Sequence, residues 1–92
     1  QVGKHLETAL VTQLMNVKGV KEVRGKGLML GVELDHPCGV LVNRCADAGL
    51  LLSVTADSVI RLVPPLIMTE AEADEVVAIL VPLIKTFLAE KP

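Results

Sequence analysis

A chain of 92 residues with 9 basic and 11 acidic side chains has a formal charge of -2, and it contains no Trp or Tyr, so it lacks both the basic field and the stacking platforms that nucleic-acid binding uses. Apolar residues make up 51% of it with Phe87 as the lone aromatic, which predicts one domain with a core of Val, Leu, Ile and Ala, burying about 60 to 65% of its unfolded surface and only modestly stable. Its longest apolar stretches, such as Val76 to Ile84, fall well short of the roughly 20 residues a bilayer span requires, which excludes a membrane-crossing helix.

Val2, Leu6, Ala9, Leu10, Leu14 and Val17 recur at helical spacing and predict a first helix, with Gly19 as its stop. Gln1 to Gln13 carries Lys4, His5 and Glu7 and reads as an amphipathic helix, not as a signal peptide. No Met stands at the start, which fits a fragment or a processed product. Val20 to Arg24 reads as a short strand, Gly25 and Gly27 as a turn, and the alternation of Leu28, Leu30, Val32 and Leu34 as the second strand of a hairpin. Asp35 to Gly39 is a loop, after which Leu41, Val42, Cys45 and Ala48 mark one face of a second helix closed by Gly49.

Leu50 to Val54 and Val59 to Val63 are two β-rich runs around a turn at Thr55 to Ser58, to which Asp57 and Ser58 are suited. Pro64 and Pro65 deny the second run further ladder donors and end it. Thr69-Glu70-Ala71-Glu72 matches a capping box, and Ala73, Val76, Val77, Leu80, Leu83, Ile84, Phe87 and Leu88 trace the face of a third helix, in which Pro82 predicts a kink. The order helix, two strands, helix, two strands, helix specifies an α+β fold: a small, mostly antiparallel sheet covered by helices.

Cys38 and Cys45 are seven residues apart. A continuous helix would hold their Cα atoms about 10 Å apart, beyond the roughly 7 Å that a disulfide tolerates. Two reduced, partly buried thiols follow, which suits a cytoplasmic setting. Neither His5 nor His36 stands at zinc-ligand spacing with them.

Gly25-Lys26-Gly27 with Gly31 superficially resembles a dinucleotide fingerprint, but the spacing is wrong and a strand follows where a helix N-terminus is needed to hold pyrophosphate. The glycines are better explained by a tight turn, with close backbone packing as the reason for Gly31. Glu33 and Asp35 read as solvated carboxylates, and Ser53 and Thr55 have no base near them in sequence. Arg61 is more informative, being the one charge between Asp57 and Glu70. Alternation puts it with Val59 and Val63 on one strand face, where it either lies in solvent at an edge or is aimed at an anion.

The strings VRGKGLMLGVEL (residues 23 to 34) and ADAGLLLSVTADSVIRLVPPLIMTEAEADE (residues 46 to 75) resemble the C-terminal part of class III aminotransferases, which use pyridoxal phosphate. The likeness covers nearly the whole chain and is greatest to the members acting on N-acetylornithine. It implies that residues 1–92 form the C-terminal small domain of a larger fold-type-I transaminase, inactive alone and homodimeric as the parent. Its substrates would be amino acids and 2-oxo acids, and its reaction the transfer of the terminal amino group of N-acetylornithine to 2-oxoglutarate in arginine biosynthesis. The family's substrate-carboxylate arginine maps onto Arg61. The Schiff-base lysine and the phosphate cup belong to a large domain, and none of Lys4, Lys18, Lys21, Lys26, Lys85 and Lys91 lies in the family's cofactor-lysine context.

Related transaminases acting on ornithine, 4-aminobutyrate or succinylated substrates share the pattern. Two other readings remain open: an amino-acid-sensing module, which would bind amino acids as the isolated chain, and a structural interaction domain, which would self-associate through exposed apolar helix surface.

Overall fold

The computed structural model describes residues 2–26, 29–62 and 68–90. Along it run α1 (Val2–Leu14), β1 (Val20–Lys26), β2 (Met29–Leu34), α2 (Val40–Asp47), β3 (Ser53–Thr55), β4 (Val59–Leu62) and α3 (Glu70–Ala89), the order that the hydrophobic patterning predicts. The four strands form one sheet in the order β1-β2-β4-β3, and every pairing is antiparallel. The fold is α+β, as the sequence implies.

Leu6, Leu10 and Leu14 recur every fourth residue of α1 and are all buried, so one stripe of the helix faces inward, packing on α3 and β1. The chain then turns at Gly19, whose φ of +103° lies in the region that glycine alone adopts freely. The face of α3 that packs inward consists of Ala73, Val77, Leu80, Val81, Ile84, Phe87 and Leu88. At its start Thr69 accepts from the Glu72 amide (3.1 Å) while Glu72 Oε1 accepts from the Thr69 amide (2.9 Å), the reciprocal box that the sequence predicts. α3 continues through Pro82 as one element.

On α2, Leu41 and Cys45 are buried, whereas Ala48 caps the helix and is exposed. Gly49 follows at φ +90°, its amide bonding the Ala46 carbonyl (3.0 Å) and the Leu50 amide the Cys45 carbonyl (2.7 Å), so the helix ends in a Schellman motif. Arg44 grips Glu90 with both guanidinium nitrogens, at 3.0 and 3.1 Å, and so ties α2 to the end of α3. His5 Nε2 donates to Asp74 Oδ1 across 2.7 Å and links α1 to the start of α3. His36 donates to Asp35 at 2.6 Å, and its ring stacks on Phe87 with centroids 4.8 Å apart.

Two strands are bounded differently from the sequence reading. β1 continues to Lys26, so Gly25 lies inside a strand and not in the turn. A Cβ there would stand 2.7 Å from Glu7 Oε1 and 3.0 Å from Leu30 Cδ2, so Gly25 leaves room for the end of the Glu7 side chain that α1 lays against β1. β3 is confined to Ser53–Thr55, since Leu50 turns into the core and Leu51 is 84% exposed. Gly27 of the predicted turn, Leu28 at the start of the predicted second strand, Val63 at the end of the predicted fourth and the Pro64 and Pro65 that follow it lie outside the described residues. No helix among the described residues is long and apolar enough to cross a membrane.

Alternation sorts the sheet into two unlike faces. Leu30, Val32, Leu34, Ile60 and Leu62 are buried in the common core with the three helices. The intervening residues form the opposite face, which no helix among the described residues covers.

Candidate functional site

The uncovered face is a lattice whose rows are fixed by strand register. Arg24 of β1 pairs with Gly31 of β2, Gly31 with Arg61 of β4, and Arg61 with Ser53 of β3. Two strand spacings therefore separate the arginine backbones, about 10 Å, with the side-chain-free residue between them. In the neighbouring row Glu22, Glu33, Val59 and Thr55 follow across the same four strands. Arg24, Met29, Gly31, Thr55, Val59 and Arg61 line a concavity of about 520 Å³ over this part of the sheet.

The two guanidinium groups are in different electrostatic states. Arg24 donates to Glu22 at 2.5 Å and to Glu33 at 3.3 Å, and the bond to Glu33, then the charge of Glu22, raises its pKa above the ordinary arginine value. Glu33 also lies 3.9 Å from Lys21. The solvated role read for Glu33 is thus corrected: it is a half-buried ion-pair partner that occupies the neighbouring cation.

Arg61 is half-buried, and no acidic side chain among the described residues pairs with it. Its Nε donates to the Met29 sulfur at 3.1 Å, and Nη2 also approaches that sulfur. A thioether is a weak acceptor. The contact holds the head group over the concavity while leaving its strong donors unmatched by any charge, which is an arrangement that binds an anion.

The remaining sequence candidates fall outside this arrangement. Ser53 and Thr55 lie on the uncovered face, Thr55 at the rim of the concavity. Asp35 is hydrogen-bonded to His36 at the far end of β2. Cys38 and Cys45 are free thiols with no exposed surface, more deeply buried than the sequence reading has them. Burial pushes the Cys38 thiol up to about 11 and the Cys45 thiol in the same direction, so both are inert as nucleophiles near neutrality. The close packing inferred for Gly31 is not found: an added Cβ would meet nothing nearer than 3.8 Å. Sequence reasoning did not find Met29 and Arg24 as members of the site. Period-two alternation marks Met29 for this face, but only the hairpin register, set by residues next to the misplaced turn, brings Arg24 opposite Gly31.

The class-III aminotransferase model matches residues 1–84. The chain belongs to that family. Acetylornithine aminotransferase 1 of Bordetella bronchiseptica is 58% identical over 91 residues, spanning 99% of this chain and 23% of that protein. Among solved structures, ornithine δ-aminotransferase of Plasmodium falciparum superposes with a TM-score of 0.86 at 32% identity, over 98% of this chain and 24% of that one. N-acetylornithine aminotransferase from Stenotrophomonas maltophilia gives 0.80 at 33% identity, over 96% and 25%. The chain thus spans 23 to 25% of the length of these aminotransferases.

Class-III aminotransferases are in general pyridoxal-phosphate enzymes. The described residues of this chain do not fit that group: no lysine or aromatic side chain is among those lining the concavity, and Phe87 is packed in the helical layer against His36.

Proposed function

We propose that this chain is the C-terminal small domain of a homodimeric, pyridoxal-phosphate-dependent transaminase, and that Arg61 is its clamp for the substrate carboxylate next to the reacting carbon. The observation that carries the reading is a guanidinium over a concavity, held among the described residues by a thioether and by no carboxylate, while the neighbouring Arg24 is neutralised by Glu22 and Glu33. A carboxylate entering there accepts two parallel hydrogen bonds from the planar fork, which fixes both its position and its plane. Orientation of this kind lowers the barrier by placing the reacting carbon correctly, and the bond-breaking chemistry belongs to the cofactor on a large domain of the parent.

The 58% identity to an acetylornithine aminotransferase supports N-acetylornithine as the amino donor and 2-oxoglutarate as the acceptor, in arginine biosynthesis. The poor fit of these residues to the cofactor supports inactivity of the chain alone. The buried free thiols support a cytoplasmic setting.

In the holoenzyme, Arg61→Ala removes charge-assisted bonds worth about 1.5 to 3 kcal/mol. It should lower kcat/KM for 2-oxoglutarate and for glutamate by roughly 10- to 150-fold, while cofactor absorbance stays unchanged. N-acetylornithine should suffer less, because its reacting amine is at the end remote from its carboxylate. Arg61→Lys keeps the charge but loses the fork and should also be impaired. Unaltered kinetics with 2-oxoglutarate in Arg61→Ala would retire the assignment.

A further inference from the structure

Gly31 occupies a central strand, where glycine costs roughly 0.5 to 1 kcal/mol relative to alanine and offers nothing to cross-strand packing. The reasons a fold usually has for such a residue are missing. The glycines with positive φ among the described residues are Gly19 and Gly49. The ladder is regular on both sides of Gly31, the irregularity in the β1–β2 pairing lying between Val20 and Glu22. An added Cβ would rest at ordinary contact distance, 3.8 Å from Arg24 Cγ and from Val59 Cγ1. Gly19 and Gly25 differ in this respect, for a Cβ there would stand 2.8 Å from Leu88 Cδ2 and 2.7 Å from Glu7 Oε1. Gly19 is held by its φ of +103° as well, and at Gly25 the end of the Glu7 side chain would have to move aside, whereas position 31 has room for a side chain with nothing shifted.

What distinguishes Gly31 is the space above it, since it lines the concavity directly between Arg24 and Arg61. We infer that Gly31 is the floor of the carboxylate seat and a specificity-determining residue: by lacking a side chain it lets the substrate carboxylate and its α-carbon settle low enough to lie in the plane of the Arg61 fork. The inference rests on the reading of Arg61 as the clamp. A methyl group at this position shortens the depth of the seat slightly, whereas the branched side chain of valine stands up into the path of the carboxylate. Displacing a reacting group by about 1 Å can cost on the order of a hundredfold in rate or binding.

The test compares Gly31→Ala, Gly31→Val and Arg61→Ala in the holoenzyme. Both Gly31 variants are expected to melt at or above the temperature of the parent, because alanine and valine suit a strand better than glycine. The kcat/KM for 2-oxoglutarate should fall about threefold in Gly31→Ala and more than about tenfold in Gly31→Val, with the kcat/KM for N-acetylornithine falling less, because its carboxylate is remote from the reacting amine. A lowered melting temperature in Gly31→Ala would make the glycine structural and overturn the inference. An unchanged kcat/KM for 2-oxoglutarate in Gly31→Val, beside an impaired Arg61→Ala, would overturn it while leaving the clamp intact. Full activity of Arg61→Ala would remove the clamp and the floor together.

Discussion

Gly19 ties α1 to β1 at a φ of +103°, with Leu88 Cδ2 only 2.8 Å from where a Cβ would be. Gly19→Ala therefore meets backbone strain and a clash at once, and the chain should lose about 1 to 3 kcal/mol, read as a lower urea midpoint at unchanged slope. Cys38 makes a different kind of prediction. Its folded thiol is raised from 9.0 to about 11 by burial, so the folded chain retains a proton that the unfolded chain releases. Stability on this account is full below pH 9 and is lost as pH rises toward 11. Urea midpoints at about pH 8 and about pH 10 should fall in the native chain and fall less in Cys38→Ala, because the loss can reach about 1.4 kcal/mol per pH unit for one proton. An equal fall in both would assign the alkaline loss to other groups. At this scale the sequence was informative where chemistry is local. Arg61 stood out as a solitary charge in an apolar run, whereas its thioether partner Met29 comes from another strand and no pattern in either segment pairs them.

Helix ends carry their own signals, which is why α3 was legible almost to the residue. Thr69 and Glu72 satisfy orphan amides through bonds only three residues long in sequence, and so depend on nothing distant. Thr69→Ala should cost about 1 kcal/mol of stability, measured by thermal melting, and Glu90→Ala, which breaks an exposed pair with Arg44, less than about 1 kcal/mol. A larger loss in Glu90→Ala than in Thr69→Ala would contradict this ranking. Strand boundaries were less legible because they are decided by partners. Gly25 looks like a turn residue by type, yet it is kept in β1 by Leu30 across the ladder and by the approach of α1 above it. Leu50 to Leu52 have strand-forming side chains, but the end of α2 draws Leu50 inward and the ladder begins only at Ser53.

For the whole molecule, the count and order of elements were readable because helical and strand periodicities alternate cleanly along the chain. The strand order β1-β2-β4-β3 was not, since nothing in the runs themselves places β4 rather than β3 beside β2. That placement joins Gly31 to Arg61 and so shapes the concavity on which the proposed site rests. The core that supports it is aliphatic apart from Phe87 and the thiols of Cys38 and Cys45, and Leu80 within it has no exposed surface. Leu80→Ala should cost about 2 to 5 kcal/mol, a large share of the total for a domain this size, and circular dichroism should show partial unfolding near physiological temperature. A cooperative transition unchanged from the parent would mean that the core tolerates the cavity.

The sheet keeps odd-numbered residues of β2 and β4 out of the core and even-numbered ones in it. On the proposed reading of Arg61, substitution on the bare side would change which acids are accepted while leaving the buried residues in place. Every second residue along these two neighbouring strands is then open to change while the scaffold stays the same.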